Sequence, residues 1–162
     1  MLSPQMLTSP PHFTADQQQV ISQALAILET QLQHRPYTFS SPEAVKAWLR
    51  LHLQSQSREC FMVLYLDNRH RLKASETVSV GTFNATIVHP REIVIRALHH
   101  QAAAVILAHN HPSGDPTPSE ADRTLTDRLI NALDMVDVRV LDHLIVGDGD
   151  LISLAERGWL LC

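Results

Sequence analysis

The sequence predicts a single α/β domain, in which a mixed central β-sheet is flanked by helices and preceded by an N-terminal helical extension. Helical and strand-like patterns alternate along the chain, and the continuous apolar run "AAVILAH" (103–109) is typical of a central strand covered on both faces. The chain has 162 residues, of which 44% are hydrophobic, enough for one domain with a substantial core. We expect a tail and helix over 1–37 and the domain itself over 38–162.

Two helices are predicted in the N-terminal third. After a loose tail, residues 14–33 carry a helical stripe of apolar residues, Thr14 and Gln17 have capping-box spacing, and Pro36 would end the helix. In "SSPEAVKAWLRLHL" (40–53), Ser41 is the expected N-cap and Pro42 the first helical residue. The stripe of the first helix comprises Val20, Ile21, Ala24, Leu25, Leu28 and Leu32, and the second helix would turn Val45, Trp48, Leu49 and Leu53 inward.

Strand patterns dominate the rest of the chain. The segments 59–67 and 71–82 flank the turn "NRH" and predict a β-hairpin. His89-Pro90 precedes a short amphipathic helix, and the apolar run 103–109 follows it. A further helix is expected from Ser119 to about Met135. Finally, "VRVLDHLIVGDGDLISLAERG" (138–158) predicts a strand, a "GDGD" turn and a short strand.

Composition limits the classes of function. The formal net charge is −4 and the 13 Lys and Arg residues are mostly dispersed, so nucleic-acid binding is expected to be absent or weak. No apolar run approaches the roughly 18–20 residues of a membrane span, and the N-terminus lacks the features of a secretory signal. Two cysteines, Cys60 and Cys162, do not make a disulfide framework, so a cytoplasmic location is expected.

The strongest chemical signal is "HNHPSGDPTPSEAD" (109–122). Alternate residues of a strand face the same way, so His109 and His111 can bind one ion, and three prolines stiffen the loop that follows. With Ser119 as N-cap, Asp122 stands in the first helical turn and faces back toward the histidines. Two His and one Asp leave a fourth position open, as catalytic Zn²⁺ sites do. Ring nitrogens more than about 5 Å apart would contradict such a site, because zinc–nitrogen bonds are about 2.0–2.1 Å long.

Each feature has a simpler reading when taken alone. Ser-x-x-Asp is often only a helix cap, and His-x-His arises by chance in a chain with ten histidines. Their combination at the end of an apolar strand favours a metal site, with His109, His111 and Asp122 as ligands of Zn²⁺.

This stretch resembles the JAMM motif of the JAB/MPN metalloprotein family, which reads His-x-His, seven residues, then Ser-x-x-Asp, and the spacing matches without departure. The flanks "VHPREIVIRALHHQ" and "LDHLIVGDG" resemble the bacterial RadC branch. The resemblance runs from about residue 38 to the C-terminus and is to a short form, since the chain is too short for the helix-hairpin-helix module of longer RadC-like proteins. It implies a JAB/MPN-like fold with cytidine-deaminase-like layering. It also implies a zinc-dependent peptidase or isopeptidase acting on a peptide or isopeptide.

The resemblance further implies two catalytic residues. A glutamate that opens an early strand serves as general acid/base, and Glu59 holds that place; Ser119 would help to bind the oxyanion. From the residues alone, a carboxylate at the mouth of an apolar strand can take a proton from water and return it to a leaving amine. Glu59 as an ordinary surface charge is the simpler interpretation, and Glu76, in the middle of the second hairpin strand, is the competing carboxylate.

Two other polar residues near the motif and three other functions have their own interpretations. His143 is expected to be a hydrogen-bonded core histidine, and Asn110 is expected to face away from the metal. A cytidine-deaminase-like zinc enzyme would need a Pro-Cys-x-x-Cys pair, which the chain lacks. A non-catalytic DNA-repair accessory, the traditional label of the RadC family, would need a basic face. A binding module that keeps the fold and uses the metal only for shape stays open.

Overall fold

The computed structural model describes residues 13–34, 41–81 and 87–160. Within these ranges the helices and strands lie where the sequence predicts them. In chain order they are α1 (Ala15–His34), α2 (Pro42–Leu53), β1 (Cys60–Leu66), β2 (Leu72–Val80), α3 (Pro90–His99), β3 (Ala104–Asn110), α4 (Glu120–Asp134), β4 (Arg139–Val146) and β5 (Leu151–Ser153). Pro36 and the expected boundary between 37 and 38 lie outside the described residues.

Local hydrogen bonds begin the helices as their sequences predict. At the start of α1, the Thr14 N–H donates to Gln17 Oε1 and the Gln17 N–H donates to Thr14 Oγ1, which completes a capping box. The Ser41 hydroxyl accepts from the Ala44 N–H at the start of α2, and Pro42 follows the cap. These bonds satisfy backbone donors that have no partner inside the helix.

The five strands form one mixed sheet in the order β2-β1-β3-β4-β5. β1 pairs antiparallel with both β2 and β3, β4 pairs antiparallel with β5, and β3 and β4 run parallel. A parallel pair needs a crossover connection, and α4 provides it. β3 is therefore the central strand, and all seven of its residues are buried, as the apolar run predicts.

Helices cover both faces of this sheet. On one face, α2 packs Val45, Trp48, Leu49 and Leu53 against Met62, Leu64 and other side chains of the sheet. On the opposite face, α3 and α4 pack Ile93, Ala97, Leu129 and Leu133 against Phe61, Val63, Val105 and Leu107. The result is a three-layer α/β domain, which confirms the predicted fold class.

The N-terminal helix packs less than its apolar stripe suggests. Ile21, Ala24 and Leu25 are only partly buried, and the side chain of Val20 is 64% exposed. α1 contacts α2 and adds little to the core. Among the described helices, none is both long enough and apolar enough to cross a membrane.

Candidate metal centre

The pairing of β1 with β3 places the site at one end of the sheet. Phe61 of β1 lies opposite His109 of β3 in an antiparallel register. Continuing this register by two residues puts Glu59 opposite His111. Val105 and Leu107 of β3 pack against α3 and α4. Because side chains two residues apart on a strand share a face, His109 faces the same layer.

Three side chains bring ligand atoms together at this end. His109 Nε2 lies 3.0 Å from His111 Nε2 and 3.2 Å from Asp122 Oδ1, and His111 Nε2 lies 3.3 Å from Asp122 Oδ2. Two ligands on a tetrahedral zinc ion with bonds of about 2.0–2.1 Å stand about 3.3 Å apart. The ring nitrogens are thus well inside the 5 Å limit set from the sequence, and the donor set fits zinc.

The hydrogen bonds of His111 turn its metal-binding atom inward. His111 Nδ1 lies 2.8 Å from the Asp115 carbonyl oxygen, which can only accept. Nδ1 therefore carries the proton, and in the neutral ring the Nε2 lone pair points at Asp122 and His109. Electron-pair donors that converge on a carboxylate are costly unless a cation lies among them.

The pKa values of His111 and Asp122 are shifted in opposite directions, because each group stabilises the charged form of the other. The hydrogen bond to Asp122 raises the pKa of His111 above its ordinary value, although burial opposes the rise. Burial acts to raise the pKa of Asp122, but the protonated forms of His109 and His111 donate to its carboxylate, outweigh burial and hold that pKa well below its usual range. The carboxylate is therefore ionised at neutral pH and able to bind a metal.

The loop after β3 is held against the turn between β4 and β5. The His111 N–H donates to the Val146 carbonyl, and the Asp148 N–H donates to the Gly114 carbonyl. Gly114 has a φ of +87°, which favours glycine. A Cβ on Gly147 would lie 2.4 Å from the Gly114 oxygen and 2.6 Å from Pro116 Cδ. Only glycine at 147 lets the loop pack this closely.

The third ligand is positioned by the start of α4. Ser119 is the N-cap: its hydroxyl accepts from the Asp122 N–H at 3.1 Å, and its own N–H donates to Asp122 Oδ2 at 2.7 Å. This capping box turns the carboxylate back past the helix N-terminus, as the sequence predicts. The Ser119 hydroxyl accepts in that bond, so its proton can be donated to another group.

A cleft of about 750 Å³ opens at this end of the domain. Glu59, His111, Ser119 and Asp122 line it together with Ile87 and Leu125. Glu59 is half-buried and directly precedes β1. Glu76, the competing carboxylate, instead pairs with Arg96 of α3 and with His100, the C-cap of that helix. The structure thus brings Glu59, and not Glu76, to the cleft that His111 and Asp122 line.

Two buried residues behind His109 belong to the site although the sequence did not single them out for it. His143 of β4 was expected to be a hydrogen-bonded core histidine, which is confirmed, and its partner is His109 itself, with Nε2 2.8 Å from His109 Nδ1. Its other ring nitrogen lies 2.6 Å from the Thr126 hydroxyl on α4. The available signal was a histidine in an apolar strand, whose two ring nitrogens both need partners.

Asn110 faces away from the ligands, as predicted, and binds the segment that leads into β1. Its Oδ1 accepts from the Cys60 N–H at 2.8 Å, and its Nδ2 donates to the carbonyls of Arg58 and Gln56 at 2.9 and 3.3 Å. These bonds flank Glu59 on both sides. The side chain between the two histidines therefore holds the backbone that carries the carboxylate, a link that spans 50 residues of sequence.

Comparison with known proteins places this architecture in a family. The model of the RadC-like JAB domain matches residues 39–159. The chain belongs to the RadC-like JAB domain family. It is 54% identical to the UPF0758 protein YkfG of Escherichia coli K12, over 93% of this chain and 96% of that protein. It is 47% identical to the UPF0758 protein YfjY of the same strain, over 99% and 100% of the two chains.

Other members of the family are longer. The UPF0758 protein VCM66_0205 of Vibrio cholerae is 56% identical over 121 residues, which cover 75% of this chain and 54% of that protein. The names of these relatives state no catalytic activity. The wider JAB/MPN superfamily includes metalloproteases, and the His109–His111–Asp122 group is compatible with metal binding.

Proposed function

We propose that this protein is a zinc-dependent hydrolase of the JAMM type that cleaves an amide bond in a peptide or isopeptide. One observation carries the proposal: His109 Nε2 lies 3.0 Å from His111 Nε2, and each of these nitrogens lies 3.2–3.3 Å from one carboxylate oxygen of Asp122. Glu59 and Ser119 line the cleft beside them. His109, His111 and Asp122 would hold the metal. When bound, zinc would lower the pKa of a water molecule to about 7 and polarise the scissile carbonyl.

The remaining roles follow from the chemistry of the residues in the cleft. Glu59 takes a proton from the attacking water and returns it to the leaving amine, as a general base and then a general acid. The Ser119 hydroxyl donates a hydrogen bond to the oxygen that becomes negative in the transition state. The 750 Å³ cleft gives an extended chain access to these groups.

The metal is tested first. Zinc content of the purified full chain should be close to one equivalent and should be lost in His109→Ala. His99→Ala is the matched control, because His99 is exposed on α3. The zinc content of this variant should stay at the wild-type level. Equal zinc content in all three proteins would refute these ligands.

The general base is tested on a panel of fluorogenic peptides and lysine-linked isopeptides. Glu59→Gln keeps the size and polarity of the side chain but removes its basicity. Zinc content and fold should therefore persist, while turnover falls by about 10²-fold or more. Glu92→Gln, at an exposed site on α3, controls for the loss of one carboxylate. Undiminished turnover by Glu59→Gln would show that another group is the base.

A zinc-loaded wild-type protein that cleaves nothing on the panel would favour the binding module that uses the metal only for shape. The variants that lose zinc would then lose structure at the cleft without any change in turnover. Crystallography of the zinc-loaded protein and of His109→Ala would show that difference.

A further inference from the structure

Behind His109, a chain of buried hydrogen bonds returns to the backbone of another ligand. His109 Nδ1 lies 2.8 Å from His143 Nε2, and His143 Nδ1 lies 2.6 Å from Thr126 Oγ1. The Thr126 hydroxyl in turn donates to the carbonyl oxygen of Asp122 at 2.6 Å. His109, His143 and Thr126 are 1%, 0% and 2% exposed, so water does not compete for these bonds.

The carbonyl oxygen of Asp122 sets which atom donates and which accepts in each of these hydrogen bonds. A carbonyl oxygen only accepts, so the single hydroxyl proton of Thr126 is used there. The Thr126 oxygen must then accept from His143 Nδ1–H. In neutral His143 this leaves Nε2 as an acceptor, and it must receive the Nδ1–H of His109.

We propose that His143 and Thr126 are positioning residues that fix the tautomer and ring orientation of His109. Holding the proton of His109 on Nδ1 leaves the Nε2 lone pair facing Asp122 and His111, the form in which a histidine binds a metal. Because this series of hydrogen bonds ends on the carbonyl oxygen of Asp122, it also links His109 of β3 to Asp122 of α4. The proposal rests on the metal site of the proposed function but not on its hydrolytic activity.

The ring contacts around these residues support a fixed orientation. Phe61 stacks on His109 with centroids 6.0 Å apart and meets His143 edge-on at 5.5 Å. His143 lies on β4 opposite Leu107, two residues before His109 along β3, so both rings share one face of the sheet. His143 is fully buried, and a buried imidazole is costly unless both of its ring nitrogens are bonded.

The test uses the Thr126 position, where small changes keep the volume. Thr126→Val removes the hydroxyl, and Thr126→Ser restores it. Zinc affinity of the full chain, measured by competition with a chromogenic chelator, should fall by about 10–100-fold in Thr126→Val and stay near the wild-type value in Thr126→Ser. The zinc affinity of His143→Leu should fall at least as far. Should His143→Leu not fold, Thr126→Val still decides the test.

Thr124→Val is the matched control. Thr124 lies on the same helix, and its hydroxyl makes the same bond to the carbonyl four residues earlier, at 3.0 Å to Glu120 O. Among the residues that the structure describes, it forms no hydrogen bond with a histidine. Its zinc affinity should equal that of the wild type. A common loss in Thr124→Val and Thr126→Val would mean that helix α4 has merely weakened, which overturns the proposal.

A second readout does not depend on zinc. Nitrogen-15 NMR of the histidine rings, in metal-free protein in mildly alkaline buffer, should find the His109 proton on Nδ1 in the wild type and in Thr126→Ser. A wild-type proton on Nε2 would overturn the inference. Unchanged zinc affinity in Thr126→Val and His143→Leu would also overturn it, while leaving the proposed function intact. If the wild type bound no zinc, the proposed function would fail, and the ring NMR would still decide the tautomer.

Discussion

Gly147→Ala should weaken zinc binding, because the added methyl group would push away the loop that follows β3. The new Cβ would lie 2.4 Å from the Gly114 oxygen, whereas real Cβ contacts begin at 3.0–3.4 Å. By subtraction, the loop must retreat by about 0.6–1.0 Å. Gly147 does not have a left-handed φ, so the backbone tolerates alanine and the effect is steric.

The added methyl group would touch the two neighbours of Asp115, the residue that orients His111. Asp115, whose carbonyl accepts from His111 Nδ1 at 2.8 Å, lies between Gly114 and Pro116, the two residues that the methyl group would touch. If Asp115 moved the full distance directly away, the bond would lengthen to about 3.4–3.8 Å, beyond hydrogen-bond range. We expect zinc affinity to fall by about 10–100-fold. The free energy of unfolding of the metal-free protein should fall by about 1–3 kcal/mol.

Chelator competition and urea unfolding in EDTA measure the two effects separately. Asp148→Ala is the control, because Asp148 is exposed in the same turn and its backbone bond to Gly114 O does not need the side chain. Zinc affinity equal to that of the wild type in Gly147→Ala would refute the reasoning, since the loop would then move without disturbing His111.

Three further predictions concern other parts of the chain. Asn110→Ala removes the bonds that flank Glu59, so turnover should fall by about 10²-fold at unchanged zinc content, and equal turnover would contradict this role. Glu76→Gln should destabilise the protein at neutral pH but not in acid. Burial acts to raise the pKa of Glu76, but bonds with His100 and Arg96 outweigh it and hold that pKa below its ordinary 4.5. The stabilisation by the ionised carboxylate is therefore present above pH 4.5 and disappears as the pH falls through the lower pKa of the folded state. Urea unfolding in EDTA at both pH values checks this, and a constant difference between the proteins would count against it. Duplex DNA should bind no more tightly than about 10⁻⁶ M at physiological salt, given the net charge of −4, and a tight, steeply salt-dependent complex in a fluorescence titration would favour the repair-accessory interpretation.

Features that depend on neighbours in sequence were predictable. The caps at Thr14, Ser41 and Ser119 each join residues three apart, so the amino-acid order is enough to indicate them. The same holds for the inward positions of α2 and for the common facing of His109 and His111, which follow from helical and strand periods. The stripe of α1 shows the limit of this reasoning, because Val20 fits the period and is nevertheless exposed.

Choosing between distant groups required the tertiary structure. Glu59 and Glu76 both adjoin apolar strand residues, and only the register of β1 against β3 and the ion pair of Glu76 with α3 separate them. Likewise, His143 is predictable as a buried histidine, but not as the partner of His109.

By itself, the sequence determined the α/β class, the order of the elements and the identity of the three ligand candidates, because periodicity, capping and motif spacing act over a few residues. The tertiary structure alone decided that Asn110 holds the backbone around Glu59, that Gly147 admits the loop carrying Asp115, and that Thr126 and His143 stand behind His109. These contacts join residues 17 to 54 positions apart in the sequence. Their existence depends on strand order and register, which the long-range packing of the sheet and its helices sets.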